Sequence, residues 1–82
     1  MSNIKRYTHM RGVPIGASFN IEGETQVYVK LPEMVIHDTE AVYIINCVFT
    51  IQSDDPYVCP EKRVNFITKE TPVEYWFPSI ME

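Results

Sequence analysis

Apolar and polar residues alternate along much of this chain. In "ASFNI", Ala17, Phe19 and Ile21 fall on one side and Ser18 and Asn20 on the other, a period of two that belongs to a strand. "EGE" follows, and its Gly23 supplies the positive φ that a tight hairpin turn needs. Continuing through "TQVYVKL", the alternation predicts Val27, Val29 and Leu31 inside and Gln26, Tyr28 and Lys30 outside. Pro32 has no backbone N–H to give to a ladder, so the strand is expected to stop there, with "EMVIHDTE" an excursion or a short extra strand.

From Ala41 to Gln52 both alternating sets are apolar: Val42, Ile44 and Val48 on one, Tyr43, Ile45, Cys47, Phe49 and Ile51 on the other. That pattern predicts a strand buried on both sides, or one bent so that half meets the core and half meets a partner. "SDDP" is turn chemistry. Beyond it, Val64 and Phe66 alternate with Asn65 and Ile67, and Val73, Tyr75 and Phe77 alternate with Glu74 and Trp76. "IKRYTHM" fits an edge strand with Ile4 and Met10 turned inward. No window repeats apolar residues at helical spacing over three turns. The prediction is an all-β fold, a small antiparallel β-barrel or strongly curved sheet of five to six short strands, with closure or dimerisation limiting its exposed edges.

At 82 residues the chain has room for one core, so residues 1–82 are read as a single β domain. Within it, residues 1–11 form a basic N-terminal arm or edge strand, and residues 77–82 an apolar tail. An apolar share of 45% is that of a globular chain. No apolar run is long enough for a membrane-spanning helix, and "SNIKRYTH" lacks the apolar segment of a signal peptide, so a soluble, cytoplasmic protein is expected. In that compartment Cys47 and Cys59 are expected as free thiols.

Candidate chemistry thins out on inspection. "GVPIG" collects glycines as a phosphate loop does, but it leads into a strand, and no Lys-Ser or Lys-Thr pair follows; a turn around Pro14 and Gly16 is expected. His9, His37, Cys47 and Cys59 are separated by 27, 9 and 11 residues, which is not the short spacing of a zinc knuckle. A Cys–His nucleophile could be written from Cys47 or Cys59 with His37, yet Cys47 lies in the most apolar run, where burial makes a thiol inert. Asp54 and Asp55 are adjacent in a turn and do not converge as catalytic carboxylates do. Neither an enzyme, a metal nor a cofactor is expected.

Charge adds one feature. The net charge is −4, although the first eleven residues hold Lys5, Arg6 and Arg11 and no acid. This basic arm is a nucleic-acid candidate, extended by Lys62 and Arg63 with Tyr7 and Tyr57 for base stacking, but the overall acidity opposes attraction to phosphate. The apolar surplus carries more. Tyr43, Ile45, Phe49, Tyr75, Trp76, Phe77, Ile80 and Met81 exceed what one face of so small a sheet must bury. Aromatic residues and Met are enriched at interface centres, so Tyr43, Phe49, Tyr75, Trp76, Phe77 and Met81 are the candidate protein interface. The alternative for the tail is a plug, with "WFPSIM" folded back over one end of the barrel.

The run "VPIGASFNIEGETQVYVKL", with "NCVF" and "ETPVEYW" after it, resembles a pattern in short phage-encoded proteins: a Pro-x-Gly turn, a Gly hairpin, a "YVK" strand and a closing strand after a "TPV" turn. The likeness covers most of residues 12–76, interrupted by "PEMVIHDTEAVYII". It implies a compact all-β fold, a phage or mobile-element origin, and an accessory protein that binds a host protein, for example as a defence inhibitor. No catalytic residue carries over. The expected function is therefore non-enzymatic protein binding; the alternatives are a self-associating or virion-decorating module, such as a homodimer, and nucleic-acid binding by the arm.

Overall fold

A computed structural model describes residues 5–77. Six strands are present: β1 (Arg6–His9), β2 (Ser18–Ile21), β3 (Tyr28–His37), β4 (Val42–Ile51), β5 (Glu61–Asn65) and β6 (Pro72–Trp76). The only helical element among the described residues is a 3-10 turn, Met10–Gly12. All pairings are antiparallel, and the strands form one sheet in the order β1-β6-β2-β3-β4-β5. The all-β expectation holds in this coarser form. The sheet does not close: β1 and β5 remain as two edges, so it is an open antiparallel sheet.

One face of the sheet is covered, and the core lies there. Register places Phe19 opposite Tyr28 and Tyr75, and Tyr28 opposite Phe49, so these rings share a face with Cys47 and Val73. Over them fold the loops carrying Met10, Val13 and Ala17 on one side and Ile67 on the other. The first loop is tied down by Met10 N–H to Thr71 O (2.9 Å) and Arg11 N–H to Lys69 O (3.1 Å). It is tied further along by Gly16 N–H to Lys30 O (2.9 Å) and Lys30 N–H to Ala17 O (3.0 Å). Met10 is buried as expected, but from the 3-10 turn that follows the edge strand β1 and not from the strand itself, and Ile4 lies outside the described residues.

Several local expectations change. Tyr28 is buried, and Val27 and Val29 are exposed, so the inside–outside phase of this segment is reversed. The reason is aromatic packing: the Tyr28 ring stacks on Phe19 at 5.3 Å and meets Phe49 edge-on at 5.3 Å. The tight hairpin at "EGE" is instead a four-residue turn, closed by Glu24 N–H to Ile21 O (2.9 Å) with Gly23 at φ 87°, followed by an irregular link to β3. The turn at "GVPIG" is closed by Ala17 N–H to Pro14 O (3.1 Å), so Ile15 and Gly16 (φ 91°) are its inner residues and Pro14 flanks them.

Pro32 does not end its strand. β3 continues to His37 because the register shifts between Lys30 and Met34: three residues of β3 lie opposite the single Asn46 of β4. A bulge removes the need for a ladder N–H at Pro32. "EMVIH" therefore becomes the outer half of a long hairpin.

Candidate protein-docking surface

The β3–β4 hairpin has two unlike halves. The inner half, around Tyr28–Lys30 and Cys47–Phe49, sits inside the sheet between β2 and β5. The outer half pairs Met34 with Ile45, Val35 with Ile44, Ile36 with Tyr43 and His37 with Val42, and among the described residues no other strand lies beside it. β2 meets β3 only at Tyr28 and Val29, and β5 meets β4 no further out than Cys47. This outer half is a two-stranded ribbon, an arrangement that is marginal in water on its own.

Both faces of the ribbon are apolar. Met34, Ile36, Tyr43 and Ile45 line one face, and Val35, Val42 and Ile44 line the other with His37. Val35 is 57% exposed, Val42 62%, and Tyr43 and Ile44 51% each, whereas Cys47, three residues past Ile44 on the same strand, is fully buried. Burial on both sides is thus corrected for residues 42–44. The bent alternative, half core and half outward, describes the strand.

Backbone polarity follows from the tip. Asp38 N–H donates to Ala41 O at 2.8 Å, and hydrogen-bonded and non-bonded pairs alternate along an antiparallel ladder. Tyr43 and Ile45 therefore bond to β3, while Val42 and Ile44 direct their N–H and C=O groups to the open side. Beside that edge runs an apolar groove of about 390 Å³, lined by Ile36, Tyr43, Ile44, Ile45, Val64, Asn65 and Phe66.

Asn46 anchors the base of the ribbon. Its Nδ2 donates to Ile67 O (2.9 Å) and its Oδ1 accepts from Ile67 N–H (3.0 Å), so a buried side-chain amide imitates a strand neighbour and holds the β5–β6 link against β4. Sequence reasoning passed over this residue; its signal is an amide set inside an otherwise apolar run. The outward role of Val35, Ile36, Val42 and Ile44 was missed as well.

The predicted interface residues do not form one patch. Tyr43 is on the ribbon, but Phe49 and Tyr75 pack against the core, three strands apart across β4-β3-β2-β6. Trp76 is half-buried, with Lys5 Nζ 5.0 Å from its ring centroid. Phe77 is exposed and packs edge-on to Tyr75 at 6.5 Å. Ile80 and Met81 lie outside the described residues, and with them most of the tail for which a plug was the alternative expectation.

The basic candidates are dispersed too. Arg11 Nη1 lies 3.4 Å from Glu70 and Lys5 Nζ 4.0 Å from Glu74, which offsets part of their charge, while Arg6 is exposed on the β1 edge. Arg63 is held by Glu61 at 3.1 Å. Lys30 Nζ donates to Met10 O (2.9 Å) and Val13 O (3.3 Å), pinning the loop over the core, and burial lowers its pKa.

Burial pushes the Cys47 thiol up to about 11, and its Sγ donates to Asn65 O at 3.4 Å, so it stays protonated. His37, at the ribbon tip opposite Val42, is far along the hairpin from Cys47, which faces Lys30. Cys59 is exposed. Asp55 caps its own turn by accepting from Tyr57 N–H at 2.9 Å. Among the described residues, no three His, Cys, Asp or Glu side chains cluster as metal ligands, and no helix is long and apolar enough to cross a membrane.

Comparison with protein-family models, curated proteins and solved structures gave no match. The functional reading rests on the geometry alone.

Proposed function

We propose that this chain is a non-enzymatic protein-binding module that docks through the outer β3–β4 ribbon. One observation carries the reading: a ribbon apolar on both faces, with no neighbouring strand among the described residues, projects from a sheet whose own core is elsewhere. Val35, Ile36, Val42, Tyr43 and Ile44 on the ribbon and Val64 and Phe66 beside it are each 39–62% exposed, an apolar surface of the kind that marks an interaction site on a soluble protein. Leaving that area in water is costly, and covering it with protein recovers the hydrophobic free energy.

The test is photocrosslinking in cells. A photoreactive benzoylphenylalanine in place of Tyr43 should give a discrete covalent adduct, while the same probe at Tyr57, which is 94% exposed on a turn, should give none. No adduct from position 43, or the same adducts from both positions, contradicts the reading.

A further inference from the structure

Resting on that reading, we infer that the occupant of the ribbon is a second copy of this chain, joined by antiparallel pairing of β4 with β4 across a two-fold axis at Tyr43.

Edge chemistry singles out the place. A sheet guards its free edges with charges, Pro and bulges. β1 carries Arg6 and His9, β5 carries Glu61, Lys62 and Arg63, and the free side of β3 carries Pro32, Glu33 and His37 around its bulge. Val42–Ile45 carries no charge, no Pro and no bulge, so among the described residues it is the unguarded edge.

The edge is also self-complementary. Val42 and Ile44 direct their backbone groups outward, so an axis at Tyr43 sets Val42 opposite the partner subunit's Ile44 and Ile44 opposite the partner's Val42, both as hydrogen-bonded pairs. Four backbone hydrogen bonds result. Tyr43 then faces the partner's Tyr43 as a non-bonded pair, the closer kind, with the apolar groove beside it to receive the ring. No like charges oppose one another across the axis. An axis at Ile44 is less suitable, because Asn46 must then find a partner, and β5 and Ile67 already engage it. A two-fold axis makes one apolar patch serve both subunits, so the same contact covers Val42, Tyr43 and Ile44 in each.

The test uses the full chain with Cys59→Ser to remove the exposed thiol. Tyr43→Cys in that background should oxidise to a disulfide-linked dimer, because non-bonded antiparallel pairs hold Cα atoms about 4.5 Å apart, within disulfide reach. Val35→Cys is equally exposed, but it lies on β3, so its copy sits three strand spacings away, about 14 Å, and should not cross-link. A rate at least tenfold higher at position 43 is expected; equal rates overturn the proposal. Sedimentation velocity supplies a second readout. The unmodified chain should shift from monomer to dimer with concentration, and Ile44→Lys, an exposed substitution that should leave the melting curve unchanged at dilutions where the unmodified chain is monomeric, should weaken dimerisation more than tenfold. A wild-type monomer at every concentration, with a probe at Tyr43 that captures a different protein, rejects the second copy and leaves the docking surface standing. No adduct of any kind rejects both.

Discussion

Replacing Asn46 by Ala removes one side chain and strands two backbone groups. In the native fold the amide satisfies both the N–H and the C=O of Ile67, and Asn46 itself is 3% exposed. Without it those groups have no partner at a buried position, which costs about 1–3 kcal/mol for each. A total of roughly 2–4 kcal/mol is expected, after some relief from local relaxation. Domains of this length have about 4–12 kcal/mol to lose, so the change consumes a large part of the stability. With about 4–8 °C per kcal/mol for a chain this small, Tm should fall by ~10–25 °C. Asn46→Asp should be no better, because a carboxylate can accept from Ile67 N–H but repels Ile67 C=O. Urea denaturation followed by the single tryptophan, Trp76, measures the loss directly. A change below about 0.5 kcal/mol in both variants would refute the claim that this amide clamps the β5–β6 link.

Two further predictions concern the core. Tyr28→Ala should cost roughly 3–5 kcal/mol, as for other buried aromatic truncations, and Val27→Thr within about 0.5 kcal/mol; the reverse order in chemical denaturation would restore the inside–outside phase read from the sequence. Cys59 should react with a thiol reagent at pH 8 in the native state and Cys47 only on unfolding, so one rapid equivalent is expected, and two would contradict the burial of Cys47. Because the folded Cys47 holds its proton up to about 11 while the unfolded thiol ionises near its ordinary 9.0, stability should be level below pH 9 and fall between about 9 and 11. Burial also raises Tyr28, which adds to that fall, and lowers Lys30, which opposes it, so Cys47→Ala should flatten the slope without abolishing it.

Alternation alone carries the all-β class and the inward set Ala17, Phe19 and Val73, because period-two burial is written directly into residue order. The phase at Val27–Val29 fails because three consecutive residues are apolar in part, and the choice between them is made by Phe19 and Phe49, which come from other strands. Pro32 misleads because a bulge is a property of a pair of strands, and no single strand announces it. Strand order is equally remote: β6 inserts between β1 and β2, so the sheet is assembled from residues more than fifty apart, and nothing local distinguishes that from a closed barrel. At the docking surface, the apolar excess in "AVYIINCVFTIQ" was legible, and Tyr43 with it. Its location was not, because which apolar residues remain uncovered depends on where β2 and β5 stop pairing.

Hydrogen exchange resolved by residue tests the pairing of β4 with β4 across Tyr43. The amides of Tyr43 and Ile45 bond to β3 and should exchange slowly at every concentration, whereas those of Val42 and Ile44 face the open edge. In dilute protein Val42 and Ile44 should exchange rapidly, and on concentration into the dimer both should slow by more than tenfold together, while the amides of the guarded β5 edge stay as they were. Val42 and Ile44 amides that exchange rapidly and without change from the lowest to the highest concentration would contradict it.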